Sequence, residues 1–263
     1  FNTDQVAVLL KEREPIDRKL RRLDGKRKRL MDDLGRAMLE ALSPDVAYCI
    51  GWSHLLPPDL LRIPRLGVVG YHPAALPRNR GRHPIIWALA LGLSETASTF
   101  FLMDEGADSG DILSQAPIGI AEEDDAASLY AKLAESAKRQ IAEITCGFRD
   151  GTLKPVPQNH ALANYWRKRS KADGQIDWRM SARQIYNLIR ALTRPYPGAH
   201  CLYGDLEVKI WKAKVVKAAG YEHLEPGKVL YVSDEAILVK CGEDLLELLD
   251  HEFPDTIKTG DYL

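Results

Sequence analysis

The sequence predicts a doubly wound, mostly parallel α/β domain followed by a small β-rich domain. Up to about residue 150, short apolar runs alternate with amphipathic helical patterns, which is typical of a parallel sheet covered by helices on both faces. Beyond that point the pattern changes to short strand-like runs separated by turn residues. The length of 263 residues is enough for one medium domain and one small domain.

The first half of the chain predicts four strands and three helices. A helix is expected over residues 32–42, because Ser43 and Pro44 end an amphipathic pattern there. Since ligands of parallel sheets bind beyond the carboxyl ends of the strands, we expect the site in the loops after Gly51, Tyr71 and Met103. The strands are predicted at residues 4–10, 46–51, 68–71 and 99–103, the further helices at 84–91 and 125–144, and a basic loop or exposed helix at 11–31.

The second half predicts a linker and a small β-barrel interrupted by one helix. Gly151, Pro155 and Pro157 mark the linker. The sequence therefore predicts a first domain over 1–155, a linker over 156–172 and a C-terminal domain over 173–263. The C-terminal helix is expected at residues 181–193 and the strands at 208–211, 228–232, 236–239 and 245–249.

Composition excludes several classes of protein. The chain is 45% hydrophobic and 28% charged with a formal net charge of -1, so no overall field attracts it to nucleic acid or an anionic membrane. No apolar run approaches the roughly 18 residues of a membrane span, and we expect a cytoplasmic protein without membrane contact. The four cysteines are far apart, which indicates neither a disulfide framework nor a metal site.

Two loops carry candidate chemistry. The segment GYHPAALPRNRG (70–81) places His72 just beyond a buried strand, and an imidazole that titrates near neutrality suits acid–base catalysis. The segment MDEGADSGD (103–111) contains three aspartates after the next strand, with a solvated loop or helix cap as the alternative. A histidine with a structural role is the alternative for His72. The motifs GxGxxG, GxSxG, HExxH and the P-loop are absent from the sequence.

The sequence resembles the 10-formyltetrahydrofolate-dependent formyltransferases. The resemblance rests on these two loops at their mutual spacing and on the segments DGQIDW (173–178) and NLIRALTRPYPGA (187–199). That family includes methionyl-tRNA formyltransferase and the sugar-nucleotide N-formyltransferases, and the similarity runs from about residue 43 to the end. The resemblance implies a formyltransferase Rossmann-like domain, an OB-like β-barrel domain, and 10-formyltetrahydrofolate as cosubstrate without a metal.

The resemblance also implies three catalytic positions, of which two match. In the family, a histidine and an asparagine two residues before it stabilise the oxyanion, and an aspartate supports proton transfer. His72 and Asp108 match, but Gly70 stands where the asparagine belongs. Loss of one oxyanion donor typically costs about 100- to 1000-fold in rate. Three alternatives follow from Gly70. Another donor, which is Ser53, Asn79 or a backbone amide, replaces the asparagine. Otherwise the reaction is slow, or the protein binds its ligands without catalysing a reaction.

By the same resemblance, a pteridine slot and a phosphate-binding group are expected. Ordinary core packing is the alternative for Trp52 and Leu55, and a solvated loop face is the alternative for the arginines. A guanidinium near the site could pair with a substrate phosphate. The expected folate-binding residues are Gly51, Trp52, Leu55, Leu102, Met103, Asp104 and Gly106, and the expected substrate-binding residues are Arg78, Arg80 and Arg82.

The acceptor is expected to be a nucleotide-linked amino sugar, because residues 80–84 and 187–199 resemble the sugar-nucleotide enzymes. Methionyl-tRNA is the alternative, with basic candidate surfaces at 26–29 and 167–171. Hydrolysis of 10-formyltetrahydrofolate and a noncatalytic folate or nucleotide-sugar sensor are further alternatives. The family's first strand and glycine turn do not precede residues 4–10, so the N-terminus is shortened or the sheet edge is built differently. An uncovered edge favours a homodimer.

Overall fold

A computed structural model describes residues 22, 25–26, 33–52, 54–217 and 219–263. The strand predicted at residues 4–10, most of the basic segment that follows it, and Ser53 lie outside the described residues. The chain divides into two compact units, Phe1–Val69 and Gly70–Leu263. The division falls inside strand β2 (Val68–His72).

The first unit contains the predicted helix over 32–42, of which 33–42 are described, here α1. Strand β1 (Ala47–Cys49) lies within the predicted run and is shorter than it. It is followed by a short helix that the sequence did not predict, α2 (Pro58–Leu61), and then by the start of β2. β1 is the neighbour of β2 in the sheet, and Ala47 donates a backbone hydrogen bond to the carbonyl of Gly67 at 3.3 Å.

In the second unit the sheet continues from β2 through β4 (Glu95–Leu102) to β5 (Ile112–Gly119). β5 is antiparallel to β4, so the sheet is mixed rather than wholly parallel. The sequence analysis missed β5, because its residues alternate in exposure and include Pro117, which is tolerated only at sheet edges. The elements of this region are β3 (Arg80–Gly81), α3 (Pro84–Ala90), β4 (Glu95–Leu102), β5 (Ile112–Gly119) and α4 (Ala126–Asp150).

The helices α3 and α4 confirm the sequence-based prediction, with different bounds. Asp125 caps α4, accepting hydrogen bonds from the backbone of Ala127 and Ser128. Gly151, at a φ of 66°, ends the helix in the left-handed conformation. α4 extends beyond the predicted residue 144, since its buried face continues to Gly147, where an added Cβ would lie 2.7 Å from Leu153.

The segment predicted as a linker, 156–172, contains ordered contacts. Strand β6 (Tyr165–Trp166) pairs in parallel with β3, placing Arg80 opposite Tyr165. Val156 forms an antiparallel bridge with Ile112 at the start of β5. This segment therefore adds backbone pairing to the loop that follows β2.

The C-terminal part forms a five-stranded antiparallel sheet in the order β7-β8-β11-β10-β9, with one helix, α5 (Ala182–Leu192). Ser181 and Gln184 form a capping box at the start of α5. The small β domain is confirmed, although β7 was not predicted. The strands are β7 (Ala199–Tyr203), β8 (Leu206–Val216), β9 (Val229–Val232), β10 (Ile237–Lys240) and β11 (Leu245–His251).

One hydrophobic core runs through the second unit. It joins Leu89 of α3 and Leu129 of α4 to Ile185 and Ile189 of α5 and to the antiparallel sheet. The parts on either side of residues 156–172 are thus joined by continuous packing. Within the described part of the chain, no helix is long and apolar enough to cross a membrane.

Candidate active site

His72 and Asp108, the two predicted catalytic residues, lie side by side. His72 ends β2 and is 4% exposed, and its Nδ1 lies 3.6 Å from Asp108 Oδ2. Its Nε2 lies 2.8 Å from the carbonyl oxygen of Asn79. Because a carbonyl oxygen only accepts, Nε2 carries the proton of the neutral ring. Nδ1 is therefore unprotonated in the neutral ring, and it faces the Asp108 carboxylate.

The Asp108 carboxylate also joins the two loops. Its Oδ2 accepts a hydrogen bond from the backbone N–H of Gly81 at 2.8 Å. Asp108 has a φ of 54°, a left-handed conformation in which aspartate is enriched among residues other than glycine. Asp108 Oδ2 therefore contacts the backbone of Gly81 and also faces the imidazole of His72.

The loop after β2 is held by polar side chains of the neighbouring strands. Thr99, fully buried in β4, donates to the carbonyl of Ala74 at 2.7 Å. Gln115 of β5 donates to the carbonyl of Leu76 at 2.9 Å. The sequence analysis did not assign these residues to the site, although a threonine within an apolar strand was a visible signal.

Gly70 occupies a space that has no room for a side chain. A Cβ at this buried position would lie 2.7 Å from Phe101 Cζ and 2.9 Å from Met103 Cγ. The volume that the family's asparagine needs is therefore filled by Phe101 and Met103. Of the residues considered as substitutes, Ser53 lies outside the described residues, whereas Asn79 adjoins His72 through its backbone.

The predicted folate residue Leu102 ends β4, and the predicted folate residues Met103, Asp104 and Gly106 lie in the loop that follows it. Asp104 Oδ1 accepts hydrogen bonds from Gly106 N–H at 3.0 Å and from Ser109 Oγ at 2.6 Å. An added Cβ at Gly106 would lie only 2.1 Å from Ser109 Oγ. Asp104 and Gly106 therefore shape this loop, whatever else they contact.

The predicted folate residues of the first unit are exposed. Trp52 is 43% and Leu55 is 52% exposed, so neither is a core residue, which was the alternative interpretation. The Trp52 ring meets His54 edge-on, with the ring centroids 6.2 Å apart. Gly51, also exposed, has a φ of 72°, a conformation that favours glycine.

The three predicted substrate arginines have different environments. Arg80 is 1% exposed, and its Nε and Nη2 donate to Gln158 Oε1 at 3.2 and 2.6 Å. Its Nη1 donates to the hydroxyl of Tyr165 at 2.9 Å. The guanidinium of Arg80 is therefore engaged by protein groups, whereas Arg78 is exposed and Arg82 is half-buried.

Gln158 links Arg80 to the loop that contains Asp108. Its Nε2 donates to the carbonyls of Asp108 and Gly110 at 3.0 and 2.6 Å. Sequence analysis missed Gln158, because nothing in the local pattern of a linker distinguishes a buried glutamine from an exposed one.

A cluster of positive charge surrounds His83, next to the loop after β2. Burial, and then the charges of Arg169, Arg82 and Lys168, lower the pKa of His83. Its Nδ1 accepts a hydrogen bond from Arg169 N–H at 3.3 Å. Asp173 opposes these positive charges and raises the pKa of His83, so positive groups outnumber the negative one among the charges that act on this histidine. In the described part of the chain, no group of three or more acidic, histidine or cysteine side chains is arranged to hold a metal.

Comparison with known sequences identifies the family. The family described as "Formyl transferase" matches residues 3–145, and "Formyl transferase, C-terminal domain" matches residues 168–259. Methionyl-tRNA formyltransferase from Caldanaerobacter subterraneus subsp. tengcongensis is 39% identical over 222 residues, which are 84% of this chain and 71% of the relative. The chain belongs to the formyl transferase family, a class of group-transfer enzymes, as its two loops indicated.

Solved structures show the same fold. HypX from Aquifex aeolicus, in complex with tetrahydrofolic acid, has a TM-score of 0.66 at 20% identity; the match covers 82% of this chain and 37% of HypX. An N-formyltransferase from Helicobacter canadensis, in complex with folinic acid and dTDP-3-aminofucose, has a TM-score of 0.55 at 19% identity, covering 69% of this chain and 65% of that one. This chain therefore spans little more than a third of HypX.

Proposed function

We propose that the protein transfers the formyl group of 10-formyltetrahydrofolate to a primary amine, with His72 and Asp108 as the catalytic acid–base pair. The observation that carries the proposal is the placement of His72 Nδ1 3.6 Å from the Asp108 carboxylate, with Nε2 fixed by a backbone carbonyl. Membership of the formyl transferase family supports the reaction class.

The geometry supports a direct transfer. As the amine nitrogen bonds to the formyl carbon, His72 Nδ1 accepts the proton that the nitrogen loses, and the Asp108 carboxylate stabilises the resulting imidazolium. His72 then donates this proton to the folate nitrogen as the bond between that nitrogen and the formyl carbon breaks. The products are a formamide and tetrahydrofolate.

We propose Asn79 as the residue that replaces the missing asparagine at the oxyanion. Its backbone is fixed on both sides, because its N–H donates to Asn164 Oδ1 at 2.8 Å and its carbonyl accepts from His72. Asn79 has a φ of 63° and is half-buried. Since an oxyanion donor contributes about 100- to 1000-fold, Asn79→Ala should lower kcat by about that amount, measured by formyl transfer.

The predicted folate residues are retained in the proposal. The exposed side chains of Trp52 and Leu55 offer apolar surface for a flat ring. Leu102, at the end of β4, and Met103, which follows it, are retained on the resemblance of the sequence alone. Asp104 and Gly106 contribute by shaping that loop, and Gly51 by its turn.

For the acceptor we propose a nucleotide-linked amino sugar, with Arg78 and Arg82 pairing with its phosphates. The resemblance of residues 80–84 and 187–199 to the sugar-nucleotide enzymes supports this choice, as does the positive charge around His83. Arg80 takes no part in substrate binding in this proposal, because its donors face Gln158 and Tyr165. Methionyl-tRNA is the second candidate, favoured by the relative at 39% identity.

The test is transfer of labelled formyl from 10-formyltetrahydrofolate to a panel of UDP-, GDP- and TDP-linked amino sugars and to methionyl-tRNA. Label on one sugar supports the first acceptor, and label on tRNA replaces it with the second. Release of formate without an acceptor identifies a hydrolase. Folded protein that binds the folate but transfers nothing contradicts the proposal, and His72→Ala is the background control.

A further inference from the structure

We propose that Gln158 is a positioning residue that holds the Asp108 carboxylate beside His72, acting from the segment after α4. This inference rests on the proposed function for its rate measurements but not for its structural measurement. Gln158 is 6% exposed. Its side-chain oxygen accepts from Arg80, and its side-chain nitrogen donates to the carbonyl of Asp108.

The side-chain amide of Gln158 matches its surroundings in both directions. Its N–H groups donate to the carbonyls of Asp108 and Gly110, and its oxygen accepts two N–H groups of Arg80. A carboxylate of the same shape would still accept from the guanidinium, but it would place an acceptor against the two carbonyls. The position therefore demands a group that donates on one side and accepts on the other.

The loop that Gln158 holds is conformationally restricted. Asp108 is in the left-handed region at a φ of 54°, and an added Cβ at Gly110 would lie 1.8 Å from the carbonyl oxygen of Leu102. The turn formed by Asp104, Gly106 and Ser109 fixes only the exposed side of this loop. Gln158 fixes its buried side, at the residue that carries the catalytic carboxylate.

The contacts close into a ring. The Arg80 side chain donates to Gln158, Gln158 donates to the Asp108 backbone, and the Asp108 carboxylate accepts from the backbone N–H of Gly81. Gly81 follows Arg80 in the chain, so the ring returns to its start. Arg80 and Gln158 together thus set the distance from Asp108 to the loop after β2, and with it the contact to His72.

The test compares Gln158→Glu with Gln140→Glu. Gln140 is a matched control, because it is 4% exposed and its Nε2 also donates to a backbone carbonyl, that of Ser98, at 3.0 Å. Gln158→Glu should lower kcat by about 100-fold with little change in the KM for either substrate, since small misplacements of reacting groups have effects of this size. Gln140→Glu should lower the melting temperature but leave kcat unchanged. Equal kcat losses in both variants would overturn the inference.

A measurement without turnover separates this inference from the proposed function. The NMR chemical shifts of the His72 ring should move in Gln158→Glu toward those of Asp108→Asn, and should stay at wild-type values in Gln140→Glu. Unmoved His72 shifts in Gln158→Glu overturn the positioning role even if the enzyme transfers formyl groups. If the wild type transfers no formyl group, the proposed function is overturned. The His72 chemical shifts still decide whether Gln158 is a positioning residue.

A milder variant covers the case in which Gln158→Glu does not fold. Tyr165→Phe removes one acceptor of Arg80 on a side chain that is 59% exposed, so folding should persist. Loss of one hydrogen bond next to Gln158 should lower kcat by about threefold and move the His72 shifts in the same direction. Wild-type kcat with unmoved shifts counts against the inference.

Discussion

The segments that contain His72 and Asp108, the two proposed catalytic residues, are fixed by different means. The loop with His72 is tied to the sheet by Thr99 and Gln115, and its far end pairs with β6. The loop with Asp108 is fixed by its own turn and by Gln158. The proposed catalytic residues are thus recognisable from their local sequence, whereas their positions depend on residues distant in the chain.

Replacing His72 should have the largest effect on this pair of loops. His72→Ala removes the group that exchanges the proton of the amine, and we expect a loss of about 1000-fold in kcat. Transfer of labelled formyl measures the rate, and circular dichroism verifies the fold. A variant that folds and retains its rate would show that His72 is not a catalytic residue.

Asp108→Asn should have the next largest effect. Asparagine can still accept from the backbone of Gly81 but no longer stabilises an imidazolium, and we expect a loss of about 100-fold in kcat. Folate affinity, measured by calorimetry, should be unchanged. A loss of affinity with an unchanged kcat would instead assign Asp108 to folate binding.

An asparagine introduced at position 70, where the family carries one, should destabilise the protein. Gly70→Asn forces a side chain against Phe101 and Met103, and overpacking of this kind costs about 1–3 kcal/mol of stability. Gly119→Asn is the control, since an added Cβ there meets no atom within 4 Å. Denaturant unfolding measures both, and equal stabilities would show that the space at Gly70 is larger than described. A rise in kcat in Gly70→Asn would contradict Asn79 as the substitute donor.

The smallest effect concerns pH. Burial is the main cause that lowers the pKa values of His83, His200 and His251. Their folded-state pKa values lie below that of the unfolded chain, about 6.5, so the unfolded state binds more protons below that pH. The stability that depends on these neutral histidines is fully present above about pH 6.5 and is lost as the pH falls below that value through their folded-state pKa values. Melting temperatures across this range test it, and His200→Gln should show a shallower slope than the wild type.

The sequence predicted the elements whose signals are local. α5 has a capping box at its start, and α3 begins with Pro84 and is soon followed by Gly92, so both were predicted nearly to the residue. β5 and β6 were missed, because Pro117 and the brevity of Tyr165–Trp166 leave no strand pattern. These strands form because a partner strand is available, which is information that the tertiary structure supplies.

The candidate site was predictable to the same extent. His72 ends β2 and Asp108 follows β4, and the two side chains lie side by side, as expected at the carboxyl ends of neighbouring strands. Their catalytic role stays a prediction. The cause of the glycine at position 70 was not readable, since it depends on Phe101 and Met103, which follow 31 and 33 residues later. The burial of Arg80 was missed for the same reason, because Gln158 lies in what the sequence indicated to be a linker.

The contacts of residues 156–166 have a consequence for how this enzyme can be recombined with its relatives. A fragment that ends at residue 155 keeps His72 and Asp108 but loses Gln158, Asn164 and β6. A chimaera joined before residue 156 would therefore combine catalytic loops from one parent with supports from the other. Exchange of acceptor specificity between family members should succeed only when the junction lies after Trp166, so that the loops and their supports are inherited together.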